Sequence, residues 1–155
     1  MLREEPVFQF SFAGSDSQLT ALEYLPNSAL LPVVCSKVAK RISRICGETV
    51  QMFPVKVVCE DSVQDWVLVN PVNSVVGVDW HASDALLIPG TEQVMKFRTF
   101  KPLPGVLDGF DVARLREFLP FILVSERFRA AFVSETGCEF IDPASAFPRP
   151  EARLN

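Results

Sequence analysis

The chain has 155 residues, 48% of them hydrophobic, and a formal net charge of −4. That is enough for one domain with its own core. The acidic balance argues against a general nucleic-acid binder, which needs a basic stripe to displace counterions, and no Lys/Arg run exceeds Lys40-Arg41.

In chain order, Val7–Phe12 reads as a strand and Ala13–Ser17 as a loop by composition. Leu19–Leu25 is ambiguous and ends at Pro26-Asn27. Leu30 and Leu31 lead through Pro32 into the strand Val33-Val34. A helix follows from about Cys35 to Cys46, with Val38, Ile42 and Ile45 on one face and Lys37, Lys40, Arg41 and Arg44 on the other. Val50–Cys59 is a strand in which Pro54 favours an edge or a bulge. Glu60–Asp65 reads as an acidic turn, Trp66–Asn70 as a short central strand, and Val75–Trp80 as another strand. His81–Ala85 is a polar loop. Leu86–Ile88 and Val94–Phe100 form a hairpin around Pro89–Glu92. Lys101–Gly109 is a connection, and Asp111 caps a short helix with Val112, Leu115, Phe118 and Leu119 on one face. Pro120 ends it.

Phe121–Val124 is then a buried strand, and at Ser125 the pattern switches to a helix with Phe128, Ala131 and Phe132 inward. Ser125 stands at the N-cap, and Glu126 puts negative charge in the first turn. Gly137 stops this helix, and Cys138–Ile141 resumes as a strand. An offset of 90 residues places Val34, Cys35, Val38, Ile42, Gly47 and Val50 on Val124, Ser125, Phe128, Phe132, Gly137 and Phe140 without a gap, which suggests a β-α-β pseudo-repeat. The expectation is an α+β fold: a twisted, mainly antiparallel sheet with two or three helices. Residues 1–142 make the domain and 143–155 a mobile tail without periodicity.

Apolar runs such as Phe121–Val124 fall far short of the roughly 20 residues of a membrane span. The N-terminus Met1–Pro6 has no apolar core of signal-peptide length, so no membrane association and a cytoplasmic location are expected. Cys35, Cys46, Cys59 and Cys138 form no C-x-x-C pair and read as reduced thiols packed as small hydrophobes.

His81 is the single histidine. No G-x-S-x-G, Walker-type or dinucleotide-binding motif accompanies it, so no catalytic residue, cofactor or metal is assigned. Glu60, Asp61, Asp65, Asp79 and Asp84 instead make a candidate acidic patch that would steer a basic partner, with Trp80 and His81 beside it. Trp80 is a candidate binding anchor or a core residue.

The order Trp66-Val67-Leu68-Val69-Asn70, Val78-Asp79-Trp80-His81-Ala82-Ser83, Phe97-Arg98, Ile122–Ala131 and Gly137-Cys138-Glu139-Phe140 resembles a bacterial immunity-protein family found with polymorphic toxins and type VI secretion effectors. The resemblance spans about residues 30 to 142. The chain departs from it between Pro102 and Leu119, which reads as an insertion, and in having Cys35 where the second unit has Ser125. The resemblance implies a partner rather than a reaction: a cognate toxin, neutralised by occlusion of its active site or by allosteric binding. Two other readings stay open: a small-ligand or enzymatic domain around His81, and a subunit of a larger assembly joined through an edge strand near Pro54.

Overall fold

The computed structural model describes residues 8–60, 62–134 and 139–143. Gly137, Cys138 and the tail residues 144–155 lie outside that set, as does Asp61. The architecture is α+β. Its strands are β1 (Phe8–Phe12), β2 (Tyr24–Leu25), β3 (Val33–Val34), β4 (Val50–Cys59), β5 (Ser62–Pro71), β6 (Ser74–Val75), β7 (Asp84–Leu87), β8 (Val94–Thr99), β9 (Val112–Leu115) and β10 (Ile122–Val124). The helices are α1 (Asp16–Thr20), α2 (Ser36–Cys46) and α3 (Glu126–Phe132), with a 3-10 turn at Gly47–Thr49.

The backbone of the molecule is the β4–β5 hairpin, paired without interruption from Val50↔Pro71 to Cys59↔Ser62. It lies inside a five-stranded sheet of order β1-β4-β5-β3-β2. Successive side chains of a strand point to opposite faces, and here both faces are covered. On one face Val50 and Val69 join Val38, Ala39 and Ile42 of α2 and Phe128 and Phe132 of α3. On the other, Val55, Val57, Cys59, Trp66 and Leu68 pack with Leu19 of α1 and with Leu25 and Val33. Trp66-Val67-Leu68-Val69 is therefore the near-continuous apolar run that double burial demands.

The hairpin is longer than the expected acidic turn allows. Ser62–Asp65 belong to β5, and Asp65 stands opposite Lys56 with an ion pair of 2.5 Å. Glu60, next to the end of β4, has φ 41°. Pro54 is not on an edge strand, because β4 lies between β1 and β5. Among the described residues the pairing with β1 starts one position later, at Phe8↔Val55.

α2 follows its apolar spacing, burying Val38, Ala39, Ile42 and Cys46, and ends at Gly47 in a positive-φ conformation (54°) that suits glycine. The two segments related by the 90-residue offset share their helix entry. Cys35 and Ser125 have N-cap angles of −68°/160° and −70°/160°. Only Ser125 caps with its side chain, accepting from the Phe128 amide at 3.1 Å. Arg41 of α2 donates to the Ala131 carbonyl and lies 4.8 Å over the Phe132 ring, so the two helices meet directly. The likeness ends there: the first unit continues into β4, whereas Glu139–Ile141 form no strand.

Two further departures concern helices. Ala13–Ser17 is not all loop; Ser15 caps α1 in a capping box with Gln18. Asp111–Leu119 is not a helix. Val112–Leu115 is β9, paired with β10 on one side and β6 on the other, with Val112, Ala113 and Leu115 buried. Neighbouring residues facing both sides of a sheet cannot share one helical stripe. Asp111 caps nothing here; its carboxylate accepts from Ser125 Oγ and pairs with Arg127.

The three-stranded sheet β10-β9-β6 and the two-stranded ribbon β7-β8 enclose a third core of Val78, Val94, Phe97, Phe100 and Leu115. Phe97 anchors it, with ring centroids 4.9 Å from Phe100, 5.7 Å from Phe118 and 5.6 Å from Phe121. Among the described residues no helix is long and apolar enough to cross a membrane.

Candidate functional site

The expected strand Val75–Trp80 breaks after Val75, leaving a single bridge from Val78 to Pro102. A buried carboxylate organises the gap. Glu117 Oε1 accepts the Gly77 amide at 3.0 Å and the Val78 amide at 3.2 Å, and its own carbonyl accepts the Val94 amide at 2.9 Å. Gly77 fits because a Cβ there would meet Val106 Cγ2 at 2.7 Å and Leu115 Cδ1 at 3.0 Å. One residue thus fixes both the approach to Asp79–Asp84 and the start of β8.

Past Val78 the chain turns at the surface. Asp79 Oδ1 accepts the His81 amide at 3.1 Å, an aspartate turn. Ser83 Oγ accepts the Lys101 amide at 2.9 Å, and the Asp84 amide donates to Thr99 Oγ1 at 2.9 Å, which closes the base of the β7–β8 ribbon. Trp80 is left 47% exposed at this base, while Trp66 is the tryptophan of the core. The ribbon keeps Ala85, Val94 and Phe97 inward and leaves Leu86 (48%), Leu87, Ile88 and Met95 in solvent. Ten of the fifteen large hydrophobic side chains exposed among the described residues fall between Val72 and Leu119. Four of them, Leu86, Leu87, Ile88 and Met95, share one hairpin, and grouped exposed apolar side chains mark an interaction site more than scattered ones do.

The acidic patch is divided. Asp65 lies in β5 of the five-stranded sheet and Glu60 in the turn after β4, Asp79–Asp84 lie on the loop and ribbon of the third core, and Asp61 is outside the described residues. Asp65 is paired with Lys56 and Asp84 with Arg98 at 3.5 Å, so neither stands as a lone negative charge. Asp79, Trp80 and His81 share one turn, and Asp84 begins β7 three residues later. Among the described residues no group of three His, Cys, Asp or Glu side chains is placed to hold a metal ion.

No protein-family model matches the chain, and no curated protein matches it.

The residues that sequence reasoning missed are Leu86, Leu87, Ile88 and Met95. Their hairpin was legible from alternation, but its faces were not, since a ribbon with one covered side exposes apolar residues that alternation assigns to a core. Glu117 was missed too. An acid that directly follows Arg116 reads as surface charge and gives no signal of the two amides it will serve.

The other polar cluster is structural. Arg127 and Ser125 hydrogen-bond to the Asp111 carboxyl and hold it below the usual carboxylate range. Burial first, and the Asp111 charge second, push the neighbouring Cys46 thiol up to about 11. Burial likewise raises Cys59, whose Sγ donates to the Gly14 carbonyl at 2.7 Å. Thiols so shifted remain protonated and inert as nucleophiles.

Proposed function

We propose that the protein is an immunity protein: it binds a cognate bacterial toxin and neutralises it by direct contact, acting in the cytoplasm of the producing cell. One observation supports the binding role above all, the exposed apolar ribbon with Trp80 at its base. A tryptophan and clustered aliphatic side chains inside a charged rim (Asp84, Lys96, Arg98) is the make-up of a protein interface. The resemblance of the strand and helix motifs to the immunity family supplies the nature of the partner. Asp79, His81 and Asp84 form the rim beside Trp80, and the apolar contact supplies most of the affinity.

The test is co-expression with the product of the neighbouring gene, this chain alone bearing the tag. A stoichiometric complex is expected, together with rescue of growth from that product's toxicity. A neighbour that neither binds nor kills overturns the reading.

A further inference from the structure

An unpaired sheet edge invites another strand, and proteins blunt their edges with shortness, charge, proline or bulges. Among the described residues most sheet edges are blunted, and β1 is an outer strand of its sheet. β2 and β6 have two residues each, β10 has three and runs into the Ser125 cap, β7 is broken by two register shifts, and β8 bears Lys96 and Arg98. β1 is different. It runs in unbroken parallel register with β4, from Phe8↔Val55 to Phe12↔Cys59, and contains no charge, no proline and no bulge.

Its sequence, Phe8-Gln9-Phe10-Ser11-Phe12, has the same polar–apolar pattern in both directions. Phe8, Phe10 and Phe12 are in register with Val55, Val57 and Cys59 and share their face. Phe10 and Phe12 pack on the core of that face, while Phe8 is 37% exposed. Gln9 and Ser11 are exposed on the opposite face.

We propose that β1 is a self-association edge, through which two copies of the chain pair antiparallel about a two-fold axis at Phe10. Phe8 then stands opposite Phe12 of the second copy, Phe10 opposite its counterpart, and Gln9 opposite Ser11. Aromatic pairs fill one face, and an amide–hydroxyl pair repeats twice on the other, the kind of cross-strand contact that stabilises sheets. The pairing is isologous and therefore closed. The uncharged edge also lets two chains of net charge −4 meet where no like charges are opposed.

Sedimentation equilibrium of the full chain from low to high micromolar concentration tests this, with circular dichroism confirming the fold of each variant. The wild type is expected to dimerise as concentration rises. Q9K/S11K and Q9E/S11E, altered only on the solvent face, are each expected to stay monomeric, since like charges would oppose one another twice across the axis. Mixing the two variants should restore the dimer. A second variant, Q9C/S11C, should give a covalent dimer on oxidation that the wild type does not give, which serves if a charged variant fails to fold. A wild type that stays monomeric overturns the proposal, as does a dimer that persists in both charged variants or fails to return on mixing. A monomer whose β1 amides gain exchange protection only when a toxin binds assigns the edge to that partner and also overturns it.

Discussion

Glu117 illustrates how much a single buried side chain can organise. The residue is 9% exposed and its carboxylate serves the amides of Gly77 and Val78, so removing it leaves buried donors without an acceptor. Glu117→Ala is expected to cost about 2–3 kcal/mol, and Glu117→Gln, which retains one oxygen, about 1 kcal/mol. Thermal melting checks both, at roughly 2–4 °C per kcal/mol for a domain of this size. Cys46 and Cys59 provide a second residue-level test. With both thiols buried and held protonated, a thiol reagent at pH 8 should label neither in the native protein and both in denaturant, read by mass spectrometry. Native labelling of Cys46 at the rate of a free thiol contradicts the burial described above.

At the scale of elements, the Ser125 cap joins α3 to β9 and to α2. Its hydroxyl accepts the Phe128 amide and donates to Asp111, whose carboxylate also holds Arg127. Ser125→Ala should therefore cost about 1 kcal/mol or somewhat more, the usual cap penalty plus a lost carboxylate bond. Asp111 adds a pH signature. Its folded pKa is depressed, so its contribution is present above the unfolded value of about 4 and is lost as pH falls through the lower folded value. The stability gap between wild type and Asp111→Asn should be constant from neutral pH to about 4 and narrow below that, as followed by urea unfolding across pH. Ser125 and its helix could be read from the sequence because an N-cap is a local signal. The partner of Asp111 could not be, because an aspartate before an apolar run fits a helix cap and a strand end equally well. Of the expected two or three helices, α2 and α3 stand where the sequence places them, while the third is α1 and not the helix expected at Asp111–Leu119.

At the scale of the molecule, stability and binding separate. The three cores lie behind the sheets; the ribbon gives Val94 and Phe97 to the third, and its outward residues Leu86, Leu87, Ile88 and Met95 add exposed surface. Trp80→Ala and Leu87→Glu should each change stability by no more than about 0.5 kcal/mol. At a true interface centre the tryptophan change should weaken toxin binding by about 2 kcal/mol, some 30-fold. Calorimetric titration beside melting curves distinguishes the two effects. Losses that appear in stability and not in affinity would move the interface elsewhere.

The sequence by itself determined the class of fold, the β4 strand to the residue, the central apolar β5, the α2 and α3 helices and the β7–β8 hairpin. They rest on periodicity, on the Ser125 cap of α3 and on Gly47 at the end of α2, signals that act within a few residues. Tertiary structure alone decided which strands are neighbours, that Val112–Leu115 is a strand rather than a helix, and that Asp65 and Asp84 fall in different sheets. It also decided that Trp66 is buried while Trp80 and the ribbon face solvent. Those outcomes depend on what packs against each face from far along the chain, and local pattern holds no record of that.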